Sequence, residues 1–123
     1  MSIRILVVDD EREVLRLVQS ILADGAYDVV VVAGADRAIR ALQEMPAPPD
    51  LVLMDVVMPG MSGPMLADRL REIAPELRIL FMSGFDHSQV VQQYVIRQGF
   101  DLIAKPFTPR ELIAAIKKSL ESV

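Results

Sequence analysis

Four places in the sequence carry side chains that could bind a metal ion and a phosphoryl group. They are the pair Asp9-Asp10, then Asp55, Ser83 and Lys105. A carboxylate can attack phosphorus and form an aspartyl phosphate. Carboxylate oxygens are also the ligands that Mg2+ prefers, and an ammonium and a hydroxyl can stabilise the oxygens of a phosphoryl group. Together, these residue types indicate Mg2+-dependent phosphoryl transfer.

Asp55 stands in an unusual setting, the run from residue 51 to residue 60 that reads LVLMDVVMPG. An unpaired carboxylate among apolar side chains is costly, so its presence needs a physical reason. Either Asp55 caps a local turn, or it lies where a buried strand reaches the surface and meets a cation. The elements around it decide between these two interpretations.

Short apolar runs that are typical of buried strands recur along the chain. They occupy residues 3–8, 27–32, 51–54, 79–82 and 100–104. Between them and after the last, apolar residues recur at helical spacing, which predicts five helices. The helical positions are Val14, Leu15, Val18, Ile21 and Leu22; Ala38, Ile39, Leu42 and Met45; Leu66, Leu70 and Ile73; Val90, Val91, Tyr94 and Val95; and Leu112, Ile113, Ile116 and Leu120.

Capping residues predict where several of these helices begin. Asp10 is expected to serve both as a metal ligand and as the N-cap of the first helix, with Glu11 as an exposed acid of its first turn. Ser62-Gly63-Pro64 predicts the start of the third helix. Thr108 and Glu111 have the spacing of a capping box at the start of the fifth.

Alternating strands and helices predict one α/β domain over residues 1–123, with a doubly wound parallel sheet of five strands. In such sheets, ligands bind beyond the carboxyl ends of the strands. Asp9-Asp10, Asp55, Ser83 and Lys105 follow strands one, three, four and five in this scheme. Each residue taken singly could be a cap, a turn residue or a surface charge, but their coincidence at one edge predicts a site.

Charge arithmetic favours a cation in that site. Three carboxylates and one ammonium leave about two net negative charges, and closely packed like charges need compensation. A divalent ion with oxygen ligands meets this need, and Mg2+ is the usual choice for phosphate chemistry. No glycine-rich loop follows the first strand, which argues against a dinucleotide or Walker-type nucleotide site.

Composition excludes several other classes of function. The net charge of -4 argues against a nucleic-acid surface, and the absence of cysteine excludes disulfides and zinc–thiolate sites. Apolar runs fall far short of the roughly 20 residues that a membrane helix needs. Acidic residues follow the N-terminus too closely for a signal peptide. We therefore expect a soluble, cytoplasmic domain that contacts neither nucleic acid nor membrane.

Taken together, these motifs resemble the receiver domain of two-component response regulators, a CheY-like family. The matching segments are Val7-Val8-Asp9-Asp10-Glu11, residues 55–63 with the sequence DVVMPGMSG, Met82-Ser83-Gly84, and Lys105-Pro106-Phe107. The resemblance implies a flavodoxin-like sheet of order 2-1-3-4-5 and a cis Lys105–Pro106 peptide. The segment from residue 81 to residue 109 is similar to receivers of hybrid sensor histidine kinases.

The resemblance also implies a role for each site residue. Asp55 would accept a phosphoryl group from a histidine kinase or a histidine phosphotransfer protein. Asp9, Asp10, Asp55 and the backbone carbonyl of Val57 would hold Mg2+. The remaining pair, Ser83 and Lys105, would contact the phosphoryl group. A face formed by the fourth helix, fifth strand and fifth helix would change its arrangement and bind a downstream protein. Such a domain takes part in its own phosphorylation and dephosphorylation without being an enzyme for another substrate.

One position departs from the family pattern. Many receivers carry an aromatic residue three positions before the lysine, whereas this chain has Leu102. The resemblance therefore does not extend to the aromatic part of the usual switch, and the sequence assigns its role to neither Phe100 nor Tyr94. The start of the chain at Met1, close to the first strand, favours a standalone protein or a C-terminal receiver.

Two other functions are weighed against the phosphoacceptor. One is an interaction module that works without phosphorylation, which the presence of every metal and phosphate residue argues against. The other is a Mg2+-dependent phosphohydrolase with Asp55 as nucleophile. That reaction would need a positioned acid or base, and the sequence shows none.

Overall fold

The computed structural model describes residues 2–84 and 89–121, and of residues 89–92 it describes the backbone only. In these ranges, five parallel strands form one sheet. We number them β1 (Arg4–Asp9), β2 (Asp28–Ala33), β3 (Leu51–Asp55), β4 (Ile79–Ser83) and β5 (Asp101–Ala104). Their order is β2-β1-β3-β4-β5, which confirms the predicted topology. The strands β1, β3 and β4 are buried almost throughout because helices cover both faces of the sheet.

Five helices lie in the same described ranges. They are α1 (Arg12–Asp24), α2 (Ala35–Glu44), α3 (Gly63–Ile73), α4 (Gln89–Arg97) and α5 (Pro109–Glu121). None of the described helices is long and apolar enough to cross a membrane. The single histidine, His87, lies outside the described residues. The backbone at Val90 and Val91 is helical, as predicted, and their side chains are not described.

Two apolar cores lie on opposite faces of the sheet. Alternate residues of each strand point to opposite faces, so that Leu6 and Val8 contribute to one core while Ile5 and Val7 contribute to the other. Helices α2, α3 and α4 contribute buried residues to the first core, and α1 and α5 to the second. This confirms the doubly wound arrangement.

Two of the three helix-capping predictions are confirmed, and one is wrong. Ser62 caps α3 by accepting a bond from Met65 N, and Thr108 and Glu111 form the predicted reciprocal capping box. The prediction that Asp10 caps α1 is wrong. Glu11 occupies the N-cap position and makes no side-chain capping bond.

Ile73 differs from the other two apolar positions predicted for the third helix, Leu66 and Leu70, which are buried. It is 41% exposed at the last position of α3. The loop that follows the helix turns inward, and Ala74 and Leu77 fill the core there instead. The helical spacing was correct, but Ile73 lies at the end of the helix and stays exposed there.

A short hairpin follows β3. Its two strands, Val57–Met58 and Met61–Ser62, pair in antiparallel fashion around Pro59 and Gly60. Gly60 has a φ of 80°, which glycine adopts without strain. We call residues 55–63 the Asp55 loop, because they lead from the end of β3 to the start of α3.

Candidate functional site

Three of the predicted site residues end strands at the same edge of the sheet. Asp9 is the last residue of β1, Asp55 of β3 and Ser83 of β4. They are 0%, 3% and 2% exposed, respectively. The carboxyl ends of adjacent parallel strands meet at one edge, which brings these polar groups together as the sequence predicted. Asp10 follows directly and is exposed to solvent.

Lys105 reaches this edge from the end of β5. Its Nζ lies 3.0 Å from Asp9 Oδ2 and 3.1 Å from Asp55 Oδ2. The backbone N–H of Lys105 donates to the carbonyl of Ser83 at 2.7 Å. The Lys105–Pro106 peptide is cis, as the resemblance implied. The structure therefore brings the ammonium between two buried carboxylates and ties its backbone to the end of β4.

These neighbours change the pKa of Lys105. Burial alone lowers the pKa of Lys105, but the hydrogen bonds and negative charges of Asp9 and Asp55 outweigh it. The net result is a pKa above the ordinary value for lysine. The side chain therefore stays an ammonium at neutral pH and can counter negative charge at the site.

Backbone donors fix the orientation of the two buried carboxylates. Glu11 N donates to Asp9 Oδ1 at 2.9 Å, and Val57 N donates to Asp55 Oδ1 at 3.1 Å. In each case the other oxygen, Oδ2, contacts the Lys105 ammonium. Both carboxylates are thus held by a fixed amide on one side and by a cation on the other.

Four carboxylates form a group that could hold a metal ion. Asp9, Asp10, Glu11 and Asp55 each offer an oxygen, and these oxygens lie within 4.8 Å of one another. The set fits Mg2+, because its members are hard oxygen donors and two of them face solvent, where the ion could retain water. We expected Glu11 to be an exposed acid of the first helical turn. It is exposed, but its position directly after Asp9-Asp10 places its oxygen within this group.

The predicted role of the Val57 carbonyl stays a prediction. Val57 lies two residues after Asp55, at the start of the hairpin, and its N–H already contacts the Asp55 carboxylate. This contact places the Val57 backbone beside the acidic group without defining what its carbonyl oxygen binds. The roles assigned to Asp9, Asp10, Asp55, Ser83 and Lys105 likewise rest on placement.

Gly63 is a residue of the site that was predicted from the sequence only to start a helix and to end the DVVMPGMSG segment. A Cβ at this position would lie 2.7 Å from the Asp55 carbonyl oxygen and 2.8 Å from that of Val56. Its N–H donates to the Val56 carbonyl at 2.6 Å. The absence of a side chain therefore lets α3 begin directly against the end of β3. Only the glycine itself, at the end of the DVVMPGMSG segment, could have signalled this close approach.

Leu102, the departure from the family pattern, is half-buried in β5. It pairs in register with Phe81 of β4 and packs against the same core. Phe100, just before β5, packs edge-on against Phe81, with ring centroids 5.0 Å apart. Tyr94 is 52% exposed on α4. Among the residues that the structure describes, Phe100 is therefore the aromatic side chain that packs against Phe81.

Comparison with known proteins agrees with this site and fold. The family model described as the response regulator receiver domain matches residues 5–117. The chain belongs to this family.

Individual relatives give the same result. The chain is 34% identical to the response regulator receiver protein CpdR of Brucella abortus, covering 95% of this chain and 96% of CpdR. It is 31% identical to the sensor kinase CckA of the same organism, covering 98% of this chain but only 13% of CckA. Among solved structures, NtrX from Brucella abortus superimposes with a TM-score of 0.88 at 34% identity, over 98% of this chain and 27% of NtrX. The chain therefore resembles the whole of some relatives and a small part of others.

Membership of this family defines the class of function. The chain is a receiver domain of the kind that serves two-component phosphorelay signalling. Receiver domains are phosphoacceptor modules that interact with histidine kinases or phosphotransfer proteins. Receiver domains bind Mg2+ at an acidic cluster, and this chain carries an acidic group suited to it. The interaction module without phosphorylation and the phosphohydrolase are not favoured.

Proposed function

We propose that Asp55 accepts a phosphoryl group from the phosphohistidine of a histidine kinase or phosphotransfer protein, in a reaction that requires Mg2+. The observation that supports this most directly is the position of Asp55. It is a buried carboxylate at the end of the central strand β3, with the Lys105 ammonium 3.1 Å from one oxygen. Asp55 also belongs to the acidic group described above, which lies at the edge of the sheet where ligands bind in such folds.

The proposed step forms a bond between an Asp55 carboxylate oxygen and phosphorus while the donor's P–N bond breaks. The histidine nitrogen keeps the electron pair of that bond. Lys105 would shift its contact from the carboxylate to a phosphoryl oxygen, and the Ser83 hydroxyl would donate to another. Asp9, Asp10, Asp55 and the Val57 carbonyl would hold Mg2+, which would supply positive charge to the transferring group.

The output of the proposed switch is the face formed by α4, β5 and α5. Ser83 ends β4, and its carbonyl accepts the N–H of Lys105 at the end of β5. A displacement of Ser83 toward a phosphoryl group therefore acts on the end of β5 as well. We infer that a downstream protein binds this face, that the domain comprises residues 1–123, and that it works in the cytoplasm without catalysing turnover of another substrate.

Phosphorylation by a small donor tests the proposal. Acetyl phosphate with Mg2+ should label the parent chain, and the label should be lost in Asp55→Asn and after chelation of the metal. Asp68→Asn is the matched control, since Asp68 is an exposed aspartate on α3. If Asp55→Asn is labelled as strongly as the parent, Asp55 is not the phosphoacceptor.

A further inference from the structure

Three side chains on one face of the sheet form a continuous stack, which we call the Arg71 stack (Arg71, Phe100 and Phe81). The guanidinium carbon of Arg71 lies 4.9 Å from the centroid of the Phe100 ring. The Phe100 ring meets the Phe81 ring at 5.0 Å between centroids, with an interplanar angle of 89°. Cation–π and edge-to-face contacts of this kind favour one mutual orientation of the three groups.

One end of the stack contacts the Asp55 loop. A Cβ on Gly63 would lie 2.7 Å from the Phe81 ring, so the ring packs directly against this glycine. The two other atoms nearest to that Cβ are the carbonyl oxygens of Asp55 and Val56, and the second accepts the Gly63 N–H. Gly63 is therefore enclosed between the Phe81 ring and the backbone that carries Asp55.

The other end of the stack returns to the same helix. Gly63 is the first residue of α3, and Arg71 lies in its last turn, about 12 Å further along the axis at 1.5 Å per residue. Arg71 Nε and Nη2 donate to the Leu77 carbonyl at 3.2 and 3.1 Å. The two rings thus connect the first residue of α3 with its last turn by side-chain contacts.

We propose that the Arg71 stack positions the Asp55 loop and couples occupancy of the Asp55 site to Arg71. Interiors are close-packed, so a shift of the Asp55 and Val56 backbone cannot occur without moving Gly63 or the Phe81 ring against it. Phe81 would pass this movement to Phe100 and so to the guanidinium. The inference rests on the proposed function of Asp55 as phosphoacceptor.

The coupling would reach a cavity at the opposite edge of the sheet. This cavity has a volume of about 500 Å³, and Arg71, Leu77, Arg78 and Phe100 are among the residues that line it. It adjoins Ile79 and Asp101, the first residues of β4 and β5. The stack would therefore connect the two ends of the sheet. It includes Phe81, which pairs in register with Leu102, the residue of β5 at which many receivers carry an aromatic side chain.

NMR of the full chain tests the coupling, with Mg2+ and beryllofluoride as the probe of site occupancy. Adding the probe to the parent protein should shift two cross-peaks, the Gly63 amide and the Arg71 Nε–Hε. In Phe100→Leu, the Gly63 shift should persist and the Arg71 shift should be lost. Phe100→Tyr keeps the ring and should restore it. The Nε–Hε of Arg69, an exposed arginine on the same helix, is the control and should not move.

A second measurement needs no variant, in case Phe100→Leu does not fold. The ring protons of Phe81 and Phe100 should shift together when the probe is added to the parent. The coupling is wrong if Gly63 responds while the rings and Arg71 do not, or if Arg71 still responds in a folded Phe100→Leu. If neither Gly63 nor Arg71 responds and the probe does not bind, the proposed function fails, and the inference fails with it.

Discussion

The Lys105 ammonium is the positive charge that holds Asp9 and Asp55 in the described structure. Its Nζ contacts both carboxylates, and its side chain is 16% exposed. Removing one partner of a buried ionic group leaves the other charges uncompensated, which costs more than the intact group contributes. Stability, and not only phosphoryl transfer, should therefore depend on this residue.

Lys105→Met tests this dependence. We expect it to lower the free energy of unfolding by about 3 kcal/mol at neutral pH, because two buried carboxylates lose their cation. Urea denaturation gives the value, and Lys117→Met, at an exposed lysine of α5, should change it by less than about 0.5 kcal/mol. Equal losses in the two variants would show that the Lys105 contacts contribute little.

The same pair of proteins should show a characteristic pH dependence. The folded-state pKa of Lys105 lies above the ordinary 10.5, so its contribution is complete below that pH and is lost as the pH rises through the folded value. The stability difference between the parent and Lys105→Met should be constant near neutrality and shrink only above pH 10.5. A difference that already shrinks between about pH 7 and 9 would contradict a raised pKa.

Gly63 illustrates a constraint of another kind, which is steric. Its missing side chain makes room for the carbonyl oxygens of Asp55 and Val56 and for the Phe81 ring. Gly63→Ala should destabilise the protein by about 3 kcal/mol, because backbone atoms cannot move aside as a flexible side chain can. Gly25→Ala is the control, since its new Cβ would lie 3.1 Å from the Tyr27 ring, and it should cost less than about 1 kcal/mol. Thermal or urea unfolding of both variants shows which substitution lowers the stability more.

At the scale of elements, the strands and helices could be predicted because their hydrophobic patterns are distinct. Central strands such as β1, β3 and β4 are buried on both faces and appear as continuous apolar runs. The positions of Asp9, Asp55, Ser83 and Lys105 then followed from where those runs end. The hairpin at residues 57–62 was not predicted, because strands of two residues are too short to show an alternating pattern.

The details that the sequence could not give are contacts between elements. Whether Asp10 or Glu11 stands at the N-cap of α1 depends on how the chain turns after β1, and that turn is set by the Glu11 N–H donated to Asp9. The close approach at Gly63 joins residues from β3, α3 and β4. Local propensity carries no information about such packing.

The start of α5 permits a prediction at this scale. Thr108 N donates to the Glu111 carboxylate, and this backbone bond, together with a hydrogen bond from the Thr108 side chain, lowers the pKa of Glu111. A lowered pKa means that the charged form stabilises the fold above the ordinary pKa and that this contribution is lost as the pH falls through the folded value. Glu111→Ala should therefore be less stable than the parent at neutral pH, and the difference should vanish in acid. Urea titrations at several pH values measure it, and a difference that persists far below pH 4.5 would contradict the capping role of the charge.

At the scale of the whole molecule, negative charge is concentrated at the edge of the sheet that carries the candidate site. The chain has a net charge of -4, and four of its carboxylates lie together opposite a single lysine that contacts two of them. This concentration of negative charge lowers the stability of the folded state, and a bound cation would restore that stability. Domain stability and site occupancy are therefore linked, since a ligand that binds only the folded state stabilises it.

Magnesium should consequently raise the melting temperature, and it should do so through the acidic group. At about a hundredfold excess over its dissociation constant, the gain is about 2.7 kcal/mol, or about 10 °C for a domain of this size. Asp10→Asn removes an exposed member of the group without touching the Lys105 contacts. Without the metal, this variant should melt above the parent because a like charge is gone. With Mg2+ the order should reverse, because the parent keeps the better ligand set.

Calorimetry or a thermal shift assay with Mg2+ and with EDTA records the reversal, and Asp68→Asn should follow the parent under both conditions. An Asp10→Asn variant that gains as much from Mg2+ as the parent would remove Asp10 from the metal site. The sign change between the two conditions is the decisive feature, because a merely structural role for Asp10 would shift both melting temperatures in the same direction.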